Sequence, residues 1–244
     1  MRTKIQAHRG ASAYAPENTL AAFQKAIEMG ADGVELDVHF SSDGVLVVTH
    51  DDTVDRCSNG TGLVAAHTLA ELKALDFSNA VPGFAGERIP TLAEVFSLLK
   101  SSGVLINIEI KVGGVPYPGI EAACLRLIRE MNMEQQVMFS SFNHLTLREI
   151  HQAAPGISLG ILYMCGMVDP WLYCKYIGAD AIHCSWQNLV MPGLVEGCHA
   201  NGIKVHPWTV DDPKILALAK QAGVDAVITN VPDVARRIFD GAML

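Results

Sequence analysis

The sequence predicts a closed (β/α)8 barrel, a TIM barrel, and three observations lead there. Short apolar, β-branched runs alternate with stretches of helical periodicity along most of the chain, the pattern of parallel strands joined by right-handed helical crossovers. Nine such runs occur. One of them, residues 45–50, follows its predecessor through Ser42-Asp43-Gly44, a turn suited to a hairpin and too short for a crossover, which leaves eight barrel strands. Finally, no G-x-G-x-x-G follows the first run, which counts against an open dinucleotide-binding sheet. At 244 residues, half of them hydrophobic, the chain is expected to be one catalytic barrel domain over 1–244.

The elements follow in order. "IQAH" (5–8) is the first strand and ends abruptly on His8-Arg9-Gly10. Pro16-Glu17-Asn18-Thr19 opens the first helix, where Leu20, Phe23 and Ile27 recur at helical spacing. "GVELDVHF" (33–40) is the second strand and "VLVVTH" (45–50) its hairpin partner. Residues 51–90 are rich in Gly, Asn, Ser and Asp and form an insertion with little regular structure beyond a small helix started by Thr68-x-x-Glu71. Long insertions of this kind are usually functional. Thr91-Leu92-Ala93-Glu94 is a capping box opening "VFSLLK". The remaining strands are "VLINIEIK" (104–111), "VMFSSF" (137–142), "ISLGILY" (157–163), "AIHCSW" (181–186), "KVHPWTV" (204–210) and "AVITNV" (226–231). Asp212-Pro213 caps a helix that runs through Lys214–Gln221 and stops at Gly223.

Bulk properties narrow the function. A net charge of −8, from 26 acids and 18 bases, argues against a nucleic-acid partner. The N-terminus runs straight into a strand without the apolar region of a signal peptide, and no apolar run is long enough to span a bilayer. The six cysteines show neither C-x-x-C pairs nor zinc spacing and read as free thiols of a reducing compartment. A cytoplasmic protein acting on a small molecule, without stable membrane association, is expected. Monomer and homodimer both remain open.

Strand periodicity then directs the charges. Val34, Leu36 and Val38 share one face of their strand, while Glu35 and Asp37 share the other; Ile108 and Ile110 oppose Asn107, Glu109 and Lys111. The apolar faces must meet the outer helices, so the carboxylates point inward, toward the C-terminal mouth where barrel sites sit. Bare carboxylates packed together repel and resist desolvation. Lys111 and Arg9 offset part of this, and a hard divalent cation with oxygen ligands would offset more. His8 and His50 each end an apolar strand and are expected to be neighbours, a pair suited to acid–base chemistry near neutral pH. Either alone would more often be a satisfied structural residue. His39, His183 and His206 also lie on strands but show no matching partner. Arg9 offers a planar fork suited to phosphate.

"AHRG", "APENT", "GADGVELDVHFSSDG", "VVTHDDTVDR", "IPTLAEV", "INIEIK", "WTV" and "GVDAVITNVP" together resemble, in this order, the motifs of the glycerophosphodiester phosphodiesterases, closest to the small cytoplasmic bacterial members. The resemblance implies a TIM barrel with an insertion after strand two. It implies hydrolysis of glycerophosphocholine, glycerophosphoethanolamine and similar diesters to sn-glycerol 3-phosphate and an alcohol. The implied metal ligands are Glu35, Asp37 and Glu109, for one divalent cation, Mg²⁺ or Ca²⁺. The implied catalytic histidines are His8 and His50; Arg9 and Lys111 take phosphate-contacting positions, and Trp208 lines the pocket. Two departures stand out: Thr229-Asn230, where the family often has Thr-Asp, and "VGGVPYPG" after Lys111, a stretch that differs among members. A related barrel acting on lysophospholipid headgroups should show an exposed apolar loop or a basic amphipathic helix, and neither is evident in the mostly polar 51–90 insertion. A non-catalytic phosphodiester-binding barrel should have lost some of these side chains, and all are present.

Overall fold

The computed structural model describes residues 2–111 and 114–241. Nine strands form one sheet: β1 (Lys4–His8), β2 (Gly33–Phe40), β3 (Leu46–Val48), β4 (Leu105–Ile110), β5 (Val137–Ser141), β6 (Ser158–Tyr163), β7 (Ala181–Cys184), β8 (Lys204–Val205) and β9 (Ala226–Thr229). Eight run in the order β8-β7-β6-β5-β4-β2-β1-β9, and β3 pairs antiparallel to β2 outside that ring. Between β8 and β9 the pairing is irregular because Pro207 has no N–H to give. Three backbone bonds span this seam: Asp225 N–H to Val205 O at 3.1 Å, Ile228 N–H to Pro207 O at 3.0 Å and Val210 N–H to Ile228 O at 2.9 Å. The predicted barrel is therefore nearly closed.

The helices are α1 (Leu20–Glu28), α2 (Leu69–Ala74), α3 (Leu92–Leu99), α4 (Ile120–Met131), α5 (His144–Ala153), α6 (Pro170–Ile177), α7 (Leu194–Ala200), α8 (Pro213–Ala222) and α9 (Pro232–Asp240). The expected caps form. Thr91 accepts from Glu94 N–H while the Glu94 carboxylate accepts from Thr91 N–H, and Asp212 caps α8, which ends at the left-handed Gly223. The first helix starts later than Pro16: Thr19 is its cap, and Pro16–Asn18 form the preceding turn. Outward strand residues such as Ile5, Val34, Leu36, Ile106 and Ile108 are fully buried against the helices in the main core.

The 51–90 insertion contains α2, with its Thr68–Glu71 capping box, and a 3-10 turn at Val64–Ala66. It also carries an apolar cluster of its own, Val54, Cys57, Val64, Leu72, Phe77 and Ile89, packed on Val47 of the hairpin. Its two ends meet: Val48 N–H donates to Pro90 O at 2.9 Å, and Val47 bridges Thr91. Part of "VGGVPYPG", residues 112–113, lies outside the described residues.

Candidate active site

The site begins at the end of β1. Strand pairing stops at His8, and Arg9 turns the chain with a left-handed backbone (φ 56°). Gly10 follows at φ 81°, and a Cβ there would lie 2.7 Å from the Ala22 backbone carbon, so only glycine lets the turn rest on α1. The Arg9 N–H donates to Glu35 Oε2 at 3.0 Å, and its guanidinium donates from Nη1 to Glu17 Oε1 at 2.9 Å.

Parallel register sets Asp37 beside Glu109 and Glu35 beside Asn107. One oxygen from each of Glu35, Asp37 and Glu109 lies within 4.8 Å of the others, all three side chains being buried. Lys111 Nζ donates to Glu109 Oε1 at 2.8 Å and sits 3.4 Å from Asp37 Oδ1. Asn18 Nδ2 donates to Asp37 Oδ2 at 3.0 Å. Burial, then repulsion from Asp37 and Glu109, raises the Glu35 carboxyl well above its ordinary range. Burial and Asp37 likewise push Glu109 up to about 7. Asp37 is buried as well, but Lys111 and Arg9 outweigh that and hold it down at about 2. Fully ionised, the three carboxylates would carry more charge than Arg9 and Lys111 offset, and Asp37 Oδ1 accepts no hydrogen bond. An all-oxygen donor set of this kind fits a hard divalent cation.

Both expected histidines reach this cluster, by different routes. His8 comes from the barrel wall, with Nε2 4.0 Å from Glu35 Oε2. His50 follows β3, the hairpin strand off the ring, where the Ser42-Asp43-Gly44 turn puts residues 45–50. Both lie close enough to Asp37 for their charges to interact. Each is gripped through Nδ1. His50 Nδ1 donates to Asp51 Oδ1 at 2.6 Å, and Asp51 is held ionised by Arg56, which donates to it from Nε at 2.7 Å. Arg56 also binds both Glu17 oxygens, at 2.7 and 2.8 Å, so one network runs from His50 to Arg9. His8 Nδ1 lies 2.7 Å from Asn230 Oδ1. Burial, then the Arg9 charge, pulls the His8 imidazole down to about 4, so it is neutral at pH 7.

Glu17, Asn18, Asp51, Arg56 and Asp211 were not singled out from the sequence. The first four lie inside "APENT" and "THDDTVDR", polar motifs whose partners are 5 to 39 residues away. Trp208 stands beyond the short β8, bridging Ser185, with Nε1 donating to His183 O at 2.8 Å and its ring edge-on to Phe142 at 5.5 Å between centroids. The three histidines without assigned partners have them. His206 Nδ1 and His183 Nε2 are 3.0 Å apart inside the barrel. His39 donates from Nε2 to the His50 carbonyl at 3.1 Å and accepts at Nδ1 from the Tyr117 hydroxyl at 3.0 Å.

A hollow of about 300 Å³ opens beside the site, lined by His8, Arg9, Ser12, Glu17, Asp211 and Asn230. A larger one, about 510 Å³, lies at the opposite, N-terminal end around Gln6 and His206. That face of a barrel serves stability, and the chemistry lies with the smaller hollow. The mouth also corrects an expectation about apolar loops. Phe142, Leu145, Met164, Val168 and Val190 are exposed, Val168 to 91 %, on the connections and first helical turns that follow β5, β6 and β7. They lie outside the 51–90 insertion, scattered near strand ends and helix starts.

A barrel that gathers three buried carboxylates, two cations and two oriented imidazoles toward its C-terminal mouth has the form of a barrel enzyme. The model of the glycerophosphoryl diester phosphodiesterase family matches residues 8–234. A glycerophosphodiester phosphodiesterase of Caldanaerobacter subterraneus is 50 % identical over 234 residues, 96 % of each chain. The structure of a phosphodiesterase of Oleispira antarctica in complex with the product sn-glycerol-3-phosphate superposes with a TM-score of 0.89 at 30 % identity, covering 98 % of this chain and 97 % of the other. One from Thermotoga maritima superposes at 0.80 and 30 % identity, with 98 % and 99 % covered. The chain belongs to the glycerophosphoryl diester phosphodiesterase family, and it is an enzyme, a phosphodiesterase. Among the described residues no helix is long and apolar enough to cross a membrane.

Proposed function

We propose that this enzyme hydrolyses glycerophosphodiesters such as glycerophosphocholine and glycerophosphoethanolamine to sn-glycerol 3-phosphate and an alcohol, as one catalytic unit whose 51–90 segment borders the site. The observation that carries the reading is the convergence of Glu35, Asp37 and Glu109 with Arg9, Lys111 and two imidazoles held through Nδ1. Glu35, Asp37 and Glu109 would hold one Mg²⁺ or Ca²⁺. When bound, that ion supplies Lewis-acid neutralisation of charge on the phosphoryl group. Arg9 and Lys111 stabilise the charge that builds on the phosphoryl oxygens in the transition state. Of His8 and His50, one takes a proton from the attacking hydroxyl or water and the other gives one to the leaving alkoxide. The attacking oxygen is that of water or of the glycerol hydroxyl next to the phosphate. Trp208 supplies an apolar wall for the glycerol carbons.

The test is release of glycerol 3-phosphate from a panel of glycerophosphodiesters, titrated with Mg²⁺ and Ca²⁺ after chelation. No release from any member at any metal concentration would overturn the proposal. The exposed apolar residues at the mouth support a second reading, in which the glycerol half carries an acyl chain. Lysophosphatidylcholine in the same panel separates the two.

A further inference from the structure

Asn230 occupies an unusual position in the network around His8. An amide can present either its oxygen or its NH₂ to an imidazole nitrogen, and the two choices dictate opposite tautomers. Here the choice is fixed from behind. Asp211 Oδ2 is 2.6 Å from Asn230 Nδ2, and a carboxylate can only accept, so that atom must be the NH₂. Asp211 Oδ1 meanwhile accepts from Asn230 N–H at 2.8 Å and from the Thr229 hydroxyl at 3.0 Å, which anchors the carboxylate to the turn after β9. The amide oxygen is thereby left facing His8 Nδ1 at 2.7 Å and the Ser12 hydroxyl at 2.7 Å. The Ser12 hydroxyl shares its one proton between this oxygen and the His8 carbonyl at 2.8 Å, and His8 Nδ1 must donate to the amide oxygen.

We propose that Asp211 is a positioning residue for the hydrolysis. Acting through the Asn230 amide, it locks His8 in the Nδ1–H tautomer and presents the bare Nε2 to the phosphodiester. The inference rests on the reading of the site given above. It differs from a merely structural role because it depends on hydrogen-bond polarity and not on the presence of the side chains. D211N keeps an oxygen for the Asn230 and Thr229 donors but brings two NH₂ groups face to face. The Asn230 amide then turns over, its NH₂ points at His8 Nδ1, and the imidazole must carry its proton on Nε2, where it blocks proton transfer. The exchange D211N/N230D restores the polarity: the carboxylate at position 230 accepts from His8 Nδ1–H and from the amide at position 211.

The experiment has two readouts. Long-range ¹H–¹⁵N correlation of metal-free protein labelled in its imidazoles, at about pH 8 where an ordinary imidazole is neutral, reports which His8 nitrogen holds the proton. Nδ1–H is expected in the wild type and the exchange variant, Nε2–H in D211N. Steady-state kinetics of the metal-loaded enzyme on glycerophosphocholine should show kcat falling about a hundredfold in D211N, the scale of a lost proton-transfer term, with KM little changed and most of kcat regained in the exchange variant. Should D211N not fold, D211A, which removes the acceptor for the amide, replaces it in both measurements. A D211N spectrum like the wild type's, or an exchange variant no better than D211N, overturns the proposal. A tautomer change with unaltered kcat overturns the catalytic consequence alone. Failure of the parent reading would instead appear as no turnover by the wild type, with the spectra unaffected.

Discussion

Removing the charge of Glu109 should make the metal-free protein more stable at alkaline pH while destroying its response to metal. Burial and Asp37 raise this carboxyl from 4.5 to about 7 in the folded chain. A raised acid keeps a proton in the native state that the unfolded chain has already lost. Its contribution is therefore fully present below about pH 4.5 and is lost as pH rises through about 7. Holding the carboxyl at about 7 and not 4.5 costs the folded chain about 3 kcal/mol once it is ionised. E109Q removes this loss with a side chain of nearly the same shape. In the presence of a chelator, chemical denaturation should find wild type and E109Q within about 1 kcal/mol near pH 4.5, and E109Q more stable by about 3 kcal/mol at pH 8. At ~2–4 °C per kcal/mol for a chain of this size, that is a Tm gap of roughly 6–12 °C. Adding Mg²⁺ or Ca²⁺ at pH 8 should close the gap at a hundred times Kd, where about 2.7 kcal/mol accrues to the wild type, and reverse the order at a thousand times Kd, where the gain is about 4.1 kcal/mol. Equal pH dependence of the two proteins, or equal stabilisation by metal, would refute the reasoning.

Exhaustive chelation should abolish phosphodiesterase activity, and Mg²⁺ or Ca²⁺ should restore it, measured as glycerol 3-phosphate release with metal content followed by emission spectroscopy. H8A and H50A should each lower kcat by about a hundredfold or more while circular dichroism shows an intact fold. G160A should lower Tm, because its Cβ would meet the buried His183 ring, and overpacking of this kind costs about 1–3 kcal/mol. A 2-deoxy analogue of glycerophosphocholine should be cleaved far more slowly than its parent, because groups built to engage that hydroxyl would be left unpaired; comparable rates in a competition assay would remove the hydroxyl from the mechanism.

Alternation of Glu35 with Leu36 and of Ile108 with Glu109 was enough to place three carboxylates on the inner wall, because a strand offers only two faces. The caps at Thr91 and Asp212 were equally legible, being local hydrogen bonds over two or three residues. What escaped were contacts set by barrel closure. Asn230 meets His8 across 222 residues, and only the adjacency of β1 and β9 makes them neighbours. His183 and His206 likewise pair across adjacent β7 and β8, although each is an isolated histidine in its own run. His50, by contrast, reaches the site from the hairpin that Ser42-Asp43-Gly44 marks, a turn too short for a crossover. Arg56 and Glu17 sit in polar motifs, where periodicity has nothing to say about direction.

The 51–90 segment leaves the barrel at His50 and returns at Thr91, and the Val47–Thr91 bridge draws those two points together. Its apolar residues gather mainly on one another and on the hairpin. Beyond Arg56, a segment tethered in this way is exchangeable. Doubling its length adds only about 0.6 kcal/mol of loop-closure entropy, and the strands that carry Glu35, Asp37 and Glu109 need not move to admit a replacement. Asp51 and Arg56 must stay, since they grip His50, but the piece beyond them can be traded for others of different size and surface while the carboxylates on the barrel wall keep their places.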